Sequence, residues 1–262
     1  MSLNSGRYTI KNTVNEDFLE IIGPKQAWFL GLMASDGNVR NDRSFSISQS
    51  NSWGLETIEY IRQLIGFSGP TYTNKNAFSI TVTSPRLVSR LRMFNIVARK
   101  TLVYTYPRLL DNSLVVFFLQ GYVEGDGSVG IYRNNKGCYH PIISFVGTKE
   151  FIYSLILLLP IKPNVREIKS AQNLYEIRYN GRKALSFGEW LWGEEVAFPS
   201  RKKVILDQFL AQHQPEYIKY SKLKLEALEL WNMGIGCMQI AESLGLPFQT
   251  IYAWRKEWSK QA

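Results

Sequence analysis

Asp36 and Asp126 each end an apolar stretch, and each is followed by glycine: WFLGLMASDGNV over residues 28–39 and FLQGYVEGDGSV over residues 118–129. Both stretches have the spacing of a helix with small residues four apart, Gly31 and Ser35 in the first, Gly121 and Gly125 in the second. Residues four apart share one helix face, so two such helices can approach nearly backbone to backbone. Gly37 or Gly127 is then expected to stop its helix by taking the left-handed conformation that other residues avoid. If the helices pack on each other, Asp36 and Asp126 arrive side by side. Two carboxylates at one place repel unless a cation lies between them, and all-oxygen ligation suits Mg²⁺ or Mn²⁺.

On these residues the chain resembles the LAGLIDADG homing endonucleases, in the single-chain form that carries the motif twice. Gly31/Gly121, Ser35/Gly125, Asp36/Asp126 and Gly37/Gly127 fall on the motif's Gly, small, Asp and Gly positions. The earlier acidic position is Glu124 in the second copy and Ala34 in the first; in the family the last Asp is the essential one. The resemblance implies hydrolysis of one phosphodiester on each strand of a long duplex, with Asp36 and Asp126 holding divalent ions, Mg²⁺ or Mn²⁺. The family also places a basic residue, and often a glutamine, around the attacking water in each half. The matching lysine of the first copy is Lys100, and that of the second is Lys202 or Lys203, with Lys202 preferred. Gln49 matches the glutamine in the first copy and its counterpart in the second is Gly147, which implies unequal half-sites and a preference for cutting one strand first.

The elements that must position these groups recur. After the first motif, Asn38–Arg40 reads as a polar turn. Residues 43–49 alternate Phe45 and Ile47 with Ser44, Ser46 and Ser48, the period of a half-buried strand. A helix at 54–65, strands at 71–73 and 77–83 and a helix at 85–94 follow. The second motif lies 90 positions after the first (126 − 36) and opens the same order: strands at 128–133 and 141–146, a helix at 149–159, strands at 164–169 and 174–180, and a helix at 182–192. The expected fold is therefore α+β, two pseudo-symmetric αββαββα repeats packed through their motif helices, with saddle-shaped antiparallel sheets.

The polar faces of those sheets form the expected saddle for DNA. It takes Arg40, Ser44, Ser46, Ser48, Thr73, Asn74, Lys75, Ser79 and Thr81 from the first repeat. From the second come Tyr132, Asn134, Lys136, His140, Arg166, Lys169, Glu176 and Arg178. Hydroxyls, amides and guanidiniums read base edges and hold phosphates, though any one of these residues equally suits an ordinary solvated sheet face.

The composition changes near Ala211. Residues 212–215 read as a linker, followed by helices at 221–233, 238–244 and 248–258 around the turns Gly234–Gly236 and Gly245–Pro247. This segment resembles the trihelical helix-turn-helix of recombinases and transposases, with Ala241, Leu246, Ile251 and Trp254 on packing positions. The resemblance places Gln249, Thr250 and Ala253 toward bases and Arg255 and Lys256 near phosphate; a three-helix bundle with no DNA role is the alternative. The expected divisions are 1–105 and 106–210 for the repeats and 216–262 for the added domain, with residues 1–15 as a loose arm.

Bulk properties agree with this reading. The chain has 262 residues, enough for real cores, and a net charge of +9, which favours a polyanionic partner. Cys138 and Cys237 are its two cysteines, so a disulfide framework is not expected and a reducing compartment fits. No stretch reads as a signal peptide or a bilayer span, and an intracellular monomer in cytoplasm, nucleoid or organelle is expected. The two histidines, His140 and His213, serve histidine–zinc nuclease chemistry poorly. The three-glycine pattern at 125–130 follows a helix, and Asp126 would oppose a pyrophosphate, so dinucleotide binding is rejected. Two rival functions keep the same scaffold: a non-cutting DNA-binding regulator, and a maturase that binds intron RNA. The paired aspartates favour the nuclease, because buried carboxylates repel phosphate and serve a pure binder poorly.

Overall fold

The computed structural model describes residues 12–50, 53–133, 139–193 and 197–259, with the backbone alone for 213–221. The first repeat runs α1 (Pro24–Ser35), β1 (Gly37–Val39), β2 (Ser44–Ser50), α2 (Gly54–Leu64), β3 (Tyr72–Asn74), β4 (Ala77–Thr83) and α3 (Pro85–Met93). The second runs α4 (Val115–Asp126), β5 (Ser128–Arg133), β6 (Tyr139–Thr148), α5 (Lys149–Ile156), β7 (Asn164–Glu167), β8 (Leu174–Asn180) and α6 (Arg182–Trp192). Each repeat forms one four-stranded antiparallel sheet, in the orders β1-β2-β4-β3 and β5-β6-β8-β7. The fold is the expected α+β pair of repeats.

Alternation decides which face of each sheet is covered. Phe45, Ile47, Ile80 and Val82 are fully buried beneath the helices, as are Ile143, Phe145, Ile177 and Tyr179 in the second sheet. Ser84 caps α3 by accepting from Leu87 N at 3.2 Å, and Thr148 caps α5 by accepting from Phe151 N at 3.2 Å. Gln120 interrupts the apolar run of α4, yet it is buried with both ends bonded: Nε2 donates to Leu191 O at 2.8 Å and Oε1 accepts from Ala197 N at 3.1 Å.

Helices α1 and α4 pack against each other through their glycines. A Cβ on Gly31 would lie 1.9 Å from Phe118 O, and one on Gly121 would lie 1.9 Å from Trp28 O. The glycines that follow the motif aspartates depart from the sequence expectation. Gly127 is extended, with φ −75° and ψ 156°, and Gly37 is not among the positive-φ glycines. Glycine is needed there for room: a Cβ would come within 2.6 Å of Met33 O at Gly37 and 2.4 Å of Val123 O at Gly127. The chain leaves each helix straight into a strand, so Asn38–Arg40, read as a turn, begins with β1 paired to β2.

Two further readings change. Of the arm at 1–15, the described part is tied down, because Asn15 N donates to Ile65 O and Ser68 N to Thr13 O. The linker at 212–215 lies inside α7, which runs unbroken over Arg201–Asn232.

Contacts divide the chain into Met1–Leu206 and Asp207–Ala262. The C-terminal unit holds most of α7, then α8 (Cys237–Leu244) and α9 (Phe248–Trp258). Ala227, Cys237, Ile240, Ala241, Ile251 and Trp254 form its core, with Leu246 packed against it, which accounts for all four expected packing positions. Gly245, at φ +63°, ends α8 in the left-handed conformation. Among the described residues, no helix is long and apolar enough to cross a membrane.

Candidate active site and nucleic-acid interface

Asp36 caps α1 and Asp126 is the last residue of α4, so the α1–α4 packing brings the two carboxylates to one place. A Cβ on Gly125 would lie 3.0 Å from Asp36 Cγ, which measures how closely the helix ends meet. Both aspartates have raised pKa values. For Asp36 the main cause is desolvation, opposed by the hydrogen bond from Gln49 and by the charges of Lys202 and Lys100. For Asp126 it is desolvation and then the negative charge of Asp36, opposed by the same two lysines.

Gln49 stands on the helix-facing side of β2, is buried, and donates from Nε2 to Asp36 Oδ2 at 2.5 Å. The register explains its missing partner. Gln49 pairs with Phe78 as Gly147 pairs with Tyr175, so Gly147 holds the corresponding place in the second sheet. A Cβ there would lie 2.5 Å from the Phe151 ring, which leaves no room for a glutamine.

The lysines are related in the same way. Lys100 Nζ donates to Ser35 O at 3.2 Å and to Gly37 O. Lys202 Nζ donates to Val123 O at 2.5 Å, Glu124 O at 2.7 Å and Gly125 O at 3.0 Å. Ser35 and Gly125 are the matching residues before each aspartate, so each lysine binds carbonyls at the C-terminal end of a motif helix, where the helix dipole favours positive charge. Burial lowers the pKa of Lys100, opposed by Asp126 and then Asp36. Burial lowers that of Lys202 to about 8, opposed chiefly by Glu124. Lys203 is half-buried, so the geometry singles out Lys202 as the counterpart of Lys100. Arg99 takes a left-handed φ of 57° immediately before Lys100, a backbone strain of about 1 kcal/mol or more at the turn that delivers it.

The sequence reading missed a network in the second repeat. Glu124 is buried and accepts from Ser200 Oγ, with Arg201 Nε 4.0 Å away, while Ser200 Oγ also accepts from Lys202 N at 3.1 Å. Burial raises the Glu124 pKa against the bond from Ser200. Ala34 has no such partner to make, so the acidic motif position serves the second repeat alone. The one signal in the sequence was the Ser-Arg-Lys run at 200–202, whose distance from Glu124 only the fold closes.

Among the described residues, no group of three or more His, Cys, Asp or Glu could form a metal cage. The donor set is two carboxylates, oxygen only, with Asp126 opening on a groove of about 390 Å³ also lined by Ser128, Ser144, Glu176 and Arg178. Two adjoining carboxylates with no histidine nitrogen or cysteine sulfur beside them among the described residues would suit a hard divalent cation, which Asp36 and Asp126 would hold.

Register sorts the expected DNA residues. Ser46 pairs with Thr81 and Asn38, and Ser48 pairs with Ser79, which also pairs with Tyr72; Ser44 continues that outer face. Thr73 pairs with Phe78 and so lies on the helix-facing side, while Tyr72 and Asn74 take the outer face. Ser46 is buried, Arg40 is exposed just past β1, and Lys75 is exposed in the β3–β4 turn at φ 52°. In the second sheet Tyr132 pairs with His140, Arg166 with Glu176, and Arg178 with Ser144 and Asn164, all on the outer face. Lys169 lies in the turn after β7; Asn134 and Lys136 lie outside the described residues. Asn38, Ser128, Ser144 and Asn164 share these faces and were missed, because only strand pairing assigns them.

In the C-terminal unit Gln249, Ala253, Arg255 and Lys256 are exposed on α9 and Thr250 is half-buried. Arg255 lies 5.0 Å over the Trp231 ring and Lys256 4.9 Å over Tyr252.

No family model and no curated protein matches this sequence. Solved structures do. The I-LtrWI LAGLIDADG homing endonuclease bound to target DNA is similar at TM-score 0.53 and 14% identity, over 78% of this chain and 92% of that one. The LAGLIDADG meganuclease I-AabMI bound to uncleaved DNA gives 0.52 and 12% identity, over 77% and 93%. The meganuclease I-SmaMI bound to uncleaveable DNA gives 0.50 and 12% identity, over 89% and 97%. With its two repeats joined through paired motif helices, this chain has the fold of the LAGLIDADG homing endonucleases.

Proposed function

We propose that this protein is a site-specific DNA endonuclease that hydrolyses one phosphodiester on each strand of a long duplex. The observation that carries the reading is the pairing of Asp36 and Asp126 at adjoining helix ends, each beside a buried lysine that grips the same helix end. The structural neighbours are described as bound to DNA, and the excess of positive charge here suits the same partner.

In this reading Asp36 and Asp126 hold Mg²⁺ or Mn²⁺. Bound there, the divalent ion supplies a lowered water pKa and neutralises charge on the leaving 3′ oxygen. The protein groups do the rest. Gln49 fixes the Asp36 carboxylate and orients water in the first half. Lys100 and Lys202 place positive charge beside the two scissile phosphates, where it stabilises the developing pentacovalent charge. The outer faces of the sheets hold the duplex, and residues 216–262 of the C-terminal unit act as a further DNA grip through α9.

The test is incubation of the purified chain with duplexes selected by affinity, with and without Mg²⁺. Metal-dependent nicks on both strands are expected, and Asp126→Asn should keep binding while losing cleavage. Tight, metal-independent binding with no cut in any selected duplex would establish the non-cutting regulator instead; preference for structured RNA over duplex DNA would point to the maturase.

A further inference from the structure

The two outer faces carry different chemistry. No charged residue occurs within the paired registers of the first sheet, whose outer rows are Ser44 with Thr83, then Asn38, Ser46 and Thr81, then Ser48, Ser79 and Tyr72, then Ser50, Ala77 and Asn74; the cations Arg40 and Lys75 stand beyond the strand ends. The second sheet places a buried carboxylate, Glu176, on its outer face between two arginines. Arg166 lies directly opposite and donates from Nε to Glu176 Oε2. Arg178 stands two residues along β8, where its Nη1 is 3.9 Å from Glu176 Oε1 and its Nε donates to Asn180 Oδ1 at 3.2 Å.

A carboxylate buried on a surface that must meet phosphate is costly unless it organises cations around it. Here the sheet's own acceptors take Nε of both arginines, which fixes each guanidinium plane. The end-on edge, Nη1 with Nη2, is the pair that matches guanine O6 and N7 in a major groove. Serine and threonine hydroxyls, which make up most of the first face, both donate and accept, so they discriminate weakly between base pairs and leave Asn38 and Asn74 as the amides there.

We infer that Arg166 and Arg178, oriented by Glu176, read guanines, so that the half-site under the second sheet is specified by G·C pairs and the half under the first is degenerate. This rests on the duplex-DNA reading above.

The experiment is affinity selection of the full-length chain on a randomised duplex pool, without divalent metal and at one salt concentration, repeated with variants. One half-site should show strong guanine preference at two or more positions and the other only weak preferences. Arg166→Ala and Arg178→Ala should each cut the preference for guanine at one position by about 10- to 100-fold, with the opposite half unchanged. Arg178→Lys keeps the charge and loses the fork, so it should relax that position with the salt slope retained, and Glu176→Gln should relax both. Equal discrimination in the two halves, or arginine variants that weaken all sequences evenly, overturns the inference and leaves DNA binding intact. Failure to enrich any duplex overturns the DNA reading beneath it. Thermal unfolding of each variant separates these results from loss of fold.

Discussion

Gly31 and Gly121 meet the opposite helix in reciprocal fashion, the first against Phe118 O and Tyr122 N, the second against Trp28 O and Leu32 N. Each partner lies 90 positions from its equivalent (118 − 28 and 122 − 32), so the contact is a two-fold axis within one chain. Backbone atoms cannot swing aside as a side-chain tip can. Gly121→Ala should therefore force α1 and α4 apart and cost about 3 kcal/mol or more, read as a drop in the urea midpoint. Gly130→Ala, where a Cβ meets nothing within 4 Å, is the control and should stay near wild type.

Ser35 and Gly125 break that symmetry. A Cβ on Gly125 would lie 2.1 Å from Ser35 Oγ, so the space at the aspartates holds one side chain. Gly125→Ala should lower stability and cleavage together, and adding Ser35→Gly should restore part of both. Unfolding and strand-nicking assays on the single and double variants provide the cycle.

The raised carboxylate pKa values give a pH signature. A carboxyl whose folded pKa lies above its unfolded value binds more protons when folded, so stability falls as pH rises through the folded pKa. Above that folded pKa each aspartate, once ionised, weighs against the fold. Asp36→Asn should raise Tm at pH 7, with the gain fading as pH falls toward the ordinary carboxylate value. Asp126, more open to solvent, should show a smaller effect. Mg²⁺ should raise the Tm of the wild type and not of the double Asn variant.

Lys202 and Lys203 are adjacent in sequence and different in place. Lys202→Met should reduce cleavage of one strand by about 100-fold or more, so that nicked product accumulates. Lys203→Met should leave the rate within about threefold. Supercoiled-plasmid assays resolve nicked from linear product.

Removing the residues after Gln212 keeps all of the unit that ends at Leu206. In composition the removed residues 213–262 set Lys219, Lys222, Lys224, Arg255, Lys256 and Lys260 against Glu216, Glu226, Glu229, Glu242 and Glu257, a net charge of only +1 (6 − 5). If α9 grips DNA, it does so through local contacts. Truncation should weaken duplex binding, reduce the salt slope by about 2 for Arg255 and Lys256, and leave cutting at saturating enzyme. Unchanged affinity and slope would show that the C-terminal unit is not a DNA module.

The sequence by itself determined the repeat, the strand alternation and the motif glycines, because these are local periodicities: two-residue pleats, four-residue helix faces, and a block that recurs 90 positions on. It also separated the Asp36/Asp126 pair from the other acids, since each ends an apolar run in the same way. Three things only the tertiary structure decided. Lys202 rather than Lys203 reaches the end of α4, because helical phase and the approach of α7 choose between neighbours. Thr73 leaves the saddle and Tyr72 joins it, because a short edge strand takes its register from β4 and not from its own pattern. Gly37 and Gly127 are glycines for lack of room against the preceding helical turn, not for a left-handed φ, because steric pressure from a neighbouring turn is a property of the folded path that residue types alone do not encode.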